Sequence, residues 1–123
     1  MKPTTKQKKE VERYIKKWKP RLNLHEWDIK ITYKEGVDDT FAQTTVQSDY
    51  LRAEIEIFRE HWNRSIEERE KTIVHELSHC IADEMFNSFW NLLANGKHVT
   101  KSNLYDILER LVQRIRNISM KDR

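Results

Sequence analysis

The sequence predicts an α+β domain with an N-terminal helix, a small three-stranded and mainly antiparallel sheet, a buried helix and a C-terminal helix. Three observations carry this reading. Apolar residues recur at helical spacing in Val11, Tyr14, Ile15 and Trp18, the period drops to two in Trp27, Ile29, Ile31 and Tyr33, and helical spacing then returns twice, from Ile66 to Met85 and from Leu104 to Ile118.

The first helix is expected over about 5–18, with Pro20 as its stop. The strand that starts at Trp27 alternates its apolar residues with Asp28, Lys30, Thr32 and Lys34 until Gly36 and the Asp38-Asp39 pair break the pattern. A less apolar strand is expected around Thr40–Gln47. After Ser48-Asp49 a third runs through Leu51, Ala53, Ile55 and Ile57, and the three strands together suggest an antiparallel meander. Ser65 followed by Glu68 has the spacing of a capping box, and Glu67, Glu68 and Glu70 favour a helix N-terminus there. This helix is expected to run about five turns through Ile66, Ile73, Val74, Leu77, Ile81 and Met85. Asn87–Ser102 reads as a connection with a short helical turn through Trp90, Leu92 and Leu93. Ser102 or Asn103 then caps the last helix, whose stripe is Leu104, Ile107, Leu108, Leu111, Val112, Ile115 and Ile118.

The chain has 123 residues, the size of one domain spanning 1–123, and with 37% hydrophobic residues it has enough apolar content for a core. The formal charge is +3, from 23 basic and 20 acidic residues. Much of the positive excess is terminal, in residues such as Lys6, Lys8, Lys9, Lys16, Lys17, Lys19 and Arg21, and it reads as the solvated face of an amphipathic helix. Nucleic acid is therefore not an expected partner. Cys80 is the single cysteine, which excludes an internal disulfide and a cysteine-built zinc site and fits a reducing compartment. No apolar run approaches the ~20 residues of a membrane span, and no signal-peptide segment is recognisable. A cytoplasmic location, no membrane partner and a monomer are the expectations.

The segment His75-Glu76-Leu77-Ser78-His79 falls inside the buried helix. Two histidines four residues apart on a helix differ by about 40° in direction and about 6 Å along the axis, so both imidazoles can converge on one ion at ~2.0–2.1 Å. Glu76 projects about 100° away from His75, suited to proton transfer rather than ligation. Its neighbours Thr72, Ile73, Val74, Leu77, Ser78, Cys80 and Ile81 are all uncharged, as a helix beneath a cleft requires. A metal-free core reading would leave three polar groups without partners, at a cost of several kcal/mol. One zinc ion per chain, held by His75 and His79, is the expected cofactor. A catalytic zinc takes a third protein ligand, and Glu109, His98, Asp106 and Asp83 are the candidates. Asp83 continues the histidine row about 6 Å further on, Asp106 points away from its helix's apolar stripe, Glu109 sits at the margin of that stripe, and His98 lies in a loop.

This combination, His75-Glu76-Leu77-Ser78-His79 after a strand meander and before a helix reading Leu108-Glu109-Arg110-Leu111-Val112, resembles the minimal gluzincin metallopeptidases over nearly the whole chain. The resemblance implies a zincin-like fold and a zinc-dependent hydrolase of peptide bonds, with Glu109 as third ligand, a metal-activated water, Glu76 as general base, and a peptide or protein as substrate. Gln113 stands where larger gluzincins often carry a supporting acid. The segment is also similar to the SprT-like DNA-associated proteases, which implies His98 in place of Glu109, although their four-cysteine ribbon has no counterpart here. A non-catalytic module that keeps zinc for structure is a third reading, and it would need a fourth protein ligand such as Asp83 or His98.

The substrate is expected to lie along an edge strand, either Thr40–Gln47 or Leu51–Phe58. His98 or Tyr105 is a candidate oxyanion partner. His25 and His61 read as surface or strand-end residues, Trp18, Trp27, Trp62 and Trp90 as core or core-margin anchors, and Cys80 as a small buried packing residue.

Overall fold

The computed structural model describes residues 2–36, 39–93, 105–106, 109–110 and 112–117, with the backbone alone for 88–93. Helix α1 spans Thr5–Arg21. Its start is a capping box in which the Thr4 hydroxyl accepts from the Gln7 amide at 3.1 Å and the Gln7 side chain accepts from the Thr4 amide at 2.8 Å. Pro20 does not stop the helix but lies in its last turn. The stop comes three residues later, where Asn23 takes a left-handed backbone (φ 59°). The Asn23 amide donates to Pro20 O at 3.0 Å and the Leu24 amide to Lys19 O at 2.8 Å, the bonding pattern of a Schellman motif, with Leu24 buried behind it.

Three strands follow, β1 (Asp28–Lys34), β2 (Ala42–Gln47) and β3 (Arg52–Phe58). The α+β class holds, but the strands do not form a meander. Their order is β1-β3-β2, with β3 antiparallel to β2 and parallel to β1. The physical reason is burial: Ala53, Ile55 and Ile57 of β3 are almost wholly enclosed, while the inward residues of β1 and β2 are half-buried. The most apolar strand takes the centre, where neighbours cover it on both sides. The register aligns Ile29, Ala53 and Val46 in one inner row, Ile31, Ile55 and Thr44 in the next, and Tyr33, Ile57 and Ala42 in the third. Thr44 is the one small hydroxyl residue among these nine positions.

Helix α2 spans Ile66–Leu93. Ser65 Oγ accepts from the Glu68 amide at 3.2 Å, as the capping spacing predicts. The helix runs on beyond the expected five turns, through residues 87–93 of the segment read as a connection, a stretch with no Gly or Pro to interrupt it. Residues 105–106, 109–110 and 112–117 are helical and form the C-terminal helical segment. Its caps, Ser102 and Asn103, and the candidate ligand His98 lie outside the described residues. No helix among the described residues is long and apolar enough to cross a membrane.

One core joins these elements. Val11, Tyr14 and Trp18 of α1 meet Ile73, Val74, Leu77 and Cys80 of α2 and the inner face of β3, with Trp27 at its edge. Burial pushes the Cys80 thiol up to about 12, as suits a packing residue. Two polar clamps fix α1 to α2. The buried Glu70 carboxylate accepts from Trp18 Nε1 and from Lys17 Nζ, each at 2.7 Å, and Arg69 pairs with Glu10 through bonds of 2.7 and 3.1 Å. Glu70, read from sequence as a charge at the helix start, is thus an interhelical acceptor.

His61 departs from its sequence reading as well. It is completely buried at the foot of α2, in a short 3-10 turn over Arg59–Asn63 and edge-on to Trp62 at 4.8 Å. Neither ring nitrogen has a hydrogen-bond partner among the described residues. Burial lowers its pKa to about 4, with Glu10 opposing the shift and Arg69 and Arg64 adding to it.

Two stability predictions follow from this core. Glu70→Ala strands the Trp18 indole N–H and is expected to cost about 2–3 kcal/mol in urea unfolding. Glu70→Gln keeps an acceptor and should cost less. For His61, the folded value near 4 lies below the ordinary 6.5, so the unfolded chain binds the proton first as pH falls. The stabilisation is full above pH 6.5 and is lost towards pH 4, approaching about 3 kcal/mol. Urea midpoints at pH 7.5, 5.5 and 4.5 should show a shallower acid-side decline in His61→Phe than in wild type; equal slopes would refute the assignment.

Candidate metal centre

The middle of α2 is enclosed on the side that meets α1 and β3, where Ile73, Val74, Leu77, Ser78 and Cys80 have no exposed surface. Ser78 satisfies itself by donating to Val74 O at 2.7 Å. His75 and His79 point the other way and keep 18% and 28% of their side-chain surface, facing the C-terminal helical segment. Their rings lie edge-to-face with centroids 5.0 Å apart.

Glu109 comes to both of them. Its Oε1 is 3.3 Å from His75 Nε2 and 3.5 Å from His79 Nε2, and one ligand atom from each of the three residues lies within 4.8 Å of the others. Two ligands of a tetrahedral zinc with bonds of ~2.0–2.1 Å stand about 3.3 Å apart, so the two contacts to Glu109 already have that separation. Two imidazoles and one carboxylate are also a zinc-type donor set rather than the all-oxygen set of calcium or magnesium. The residues fit the ion. Burial holds the His75 imidazole down to about 4, and His79 beside it adds to the shift against the opposing Glu109. A ring kept neutral in mildly acidic solution needs no proton removed before it can ligate.

Glu76 faces the sheet and shares the lining of one cavity with His75. It is 6% exposed, and its Oε1 accepts from the Thr44 hydroxyl at 2.7 Å. Burial raises its pKa, and the Thr44 bond works in the opposite direction by stabilising the carboxylate. Thr44 was not singled out from sequence. The available signal was period two: Ala42, Thr44 and Val46 share the inward face of β2, where a hydroxyl among apolar residues calls for a buried partner.

Two cavities flank the cluster. One of about 310 Å³ lies at the His75 end, lined by Phe41, Ala42, Thr72, Glu76, Gln113 and Arg116 among others. The other, about 290 Å³, lies at the His79 end between Thr44, Val46, Ala82, Asp83, Phe86 and Tyr105. Tyr105 stacks on Phe86 at 4.5 Å and remains 55% exposed. Gln113 therefore borders the site without being a ligand, Asp83 borders the second cavity, and Asp106 is exposed and apart from the cluster. No family model, curated protein or solved structure matches the chain.

The Thr44 contact gives a direct test. Thr44→Val removes the hydroxyl that favours the carboxylate, so the Glu76 titration, followed by carboxyl carbon NMR in metal-free protein, should move to higher pH. An unmoved titration would show that Thr44 does not hold Glu76.

Proposed function

We propose that this chain is a zinc-dependent peptidase of the gluzincin type, with His75, His79 and Glu109 as the metal ligands and Glu76 as the general base. The observation that carries the reading is the convergence of Glu109 Oε1 on both imidazoles, at 3.3 and 3.5 Å, beside a glutamate buried against the neighbouring strand. Zinc, when bound, supplies an activated water and a Lewis acid for the scissile carbonyl. The chain's own residues do the rest. Thr44 occupies Oε1 of Glu76 and leaves Oε2 to take a proton and pass it to the departing amine. A raised pKa brings that carboxyl closer to the working range of a group that must both accept and release a proton.

Three ligands rather than four among the described residues support a site with an open position. Among the described residues the metal-competent group is His75, His79 and Glu109, with Asp83 outside it. An extended peptide suits the cleft because β2 has β3 on one side and no strand on the other among the described residues, and its inward residues line both cavities. Of the two strands considered from sequence, Thr40–Gln47 is the one that contains this edge. Strand β3 is paired on both sides.

Purified protein should carry about one zinc per chain, and each of His75→Ala, His79→Ala and Glu109→Ala should weaken zinc at least about a hundredfold in competition with a chelator. Glu76→Gln should keep fold and zinc while losing about 10²–10⁴ in peptide hydrolysis. Unchanged zinc content in the histidine variants would overturn the site, and a fully active Glu76→Gln would remove Glu76 as base.

A further inference from the structure

The two ends of the cleft differ in charge. At the His75 end the cavity lining carries Arg64 and Arg116 against Asp39 and Glu76, an even balance. At the His79 end no lysine or arginine among the described residues lines the cavity, and the charged groups there are Asp83 and the ligand Glu109. Asp83 follows His79 by one helical turn, on the same face of α2 and about 6 Å further along the axis. Its carboxylate is half-buried, and its one hydrogen bond among the described residues is a long one, 3.5 Å from Asn87 Nδ2. The same amide also donates to Ser48 Oγ, and that bond is the shorter of the two at 2.6 Å. No cation pairs with Asp83 among the described residues, although Arg64, Arg69, Lys17 and Lys71 of the same helix and its surroundings all have acidic partners.

The walls around this carboxylate are apolar. Phe86 and Ala82 are buried, Val46 closes the strand side, and the Tyr105 ring lies over Phe86. At about 290 Å³ the cavity is at the lower end of the range for ligand pockets, and it suits one long side chain rather than a whole ligand. A carboxylate at the end of an aromatic and aliphatic wall fits a side chain with a long hydrocarbon stem and a cationic head. The stem is covered by the wall, and the head supplies the charge that Asp83 lacks.

We propose that the cavity beyond His79 receives a lysine or arginine side chain of the peptide held in the cleft, and that Asp83 determines this preference. The proposal rests on the peptidase reading for the peptide's presence, but it makes a claim about binding that hydrolysis alone does not test.

The experiment uses zinc-loaded Glu76→Gln protein, in which the peptide stays intact, and a set of fluorescein-labelled octapeptides in which one Lys, Arg, Ala or Glu is walked along a neutral sequence. Fluorescence anisotropy should find one position at which Lys or Arg binds about tenfold or more tighter than Ala, with Glu weaker than Ala. Adding Asp83→Asn, an isosteric change checked by circular dichroism and zinc content, should reduce that preference to about twofold, and Asp83→Lys should shift it towards Glu. A basic preference that survives both Asp83 substitutions, the lack of any preferred position, or no measurable binding of any peptide would overturn the pocket. Wild-type protein assayed on the same peptides keeps the two ideas separate. Zinc-dependent cleavage without an Asp83-dependent preference sinks the pocket alone, whereas Asp83-dependent binding with no cleavage sinks the peptidase reading and leaves the pocket standing.

Discussion

A buried helix that carries charged and polar side chains has to bring each of them a partner, and this constraint on α2 organises the rest of the molecule. Glu70 is answered by Trp18 and Lys17 of α1, and Arg69 by Glu10. Thr72 donates to Glu68 O and accepts from Arg64, and Glu76 is answered by Thr44 of β2. These bonds fix where α1 crosses α2 and which strand lies alongside it. The apolar contacts of Trp18, Leu77 and Ile55 supply most of the burial but constrain orientation less, since apolar attraction is not directional. On the remaining face stand His75 and His79, and the group that answers them is Glu109. Among the described residues the candidate site is thus the place where the helix's polar residues meet an outside element with a potential ligand set rather than a simple hydrogen bond.

The local readings that periodicity can reach were largely legible in the sequence. The alternation at Ile29, Ile31 and Tyr33 and at Ala53, Ile55 and Ile57 gave the strands and their inward faces, and Ser65 with Glu68 gave the start of α2. Strand pairing was not legible in the same way, because period two states which face is buried but carries no information about the neighbour. A parallel β1-β3 pair requires the chain to travel from one edge of the sheet to the other before returning, a choice written in the connections and not in the alternation. The residual signal was the greater apolarity of β3, which marks a central strand. Pro20 misled for a related reason: it is incompatible with a helix interior but tolerated where the helix is already ending, and Asn23 performs the termination.

The site was legible in uneven parts. His75, Glu76 and His79 are close in sequence, so helix geometry alone predicts their relation, and the structure keeps them on adjacent turns. Glu109 is separated from His79 by 30 residues, and no local rule places it; the resemblance supplied it, and the fold brings it to both imidazoles. Thr44 belongs to neither class. It is distant in sequence and absent from the motif, yet its register opposite Ile55 puts it against α2, where it sets the orientation of Glu76. Residues of this kind are found by asking what a buried carboxylate rests on, and a motif does not raise that question.

His61 and His75 show why a shifted pKa does not by itself mark a functional group. Burial lowers both to about 4. Around His61, however, nothing converges: its nitrogens face no donor or acceptor among the described residues, and the nearby charges Glu10 and Arg69 are spent on each other. Around His75 a second imidazole and a carboxylate oxygen converge, with one ligand atom of each within 4.8 Å of the others, beside cavities along a strand edge that no described strand covers. Desolvation is common to a packed core and an active site, and the distinction lies in whether the desolvated group has complementary chemistry aimed at the same point. On that criterion the His75, His79 and Glu109 cluster is the candidate site, and His61 is a buried core residue on which no such chemistry converges among the described residues.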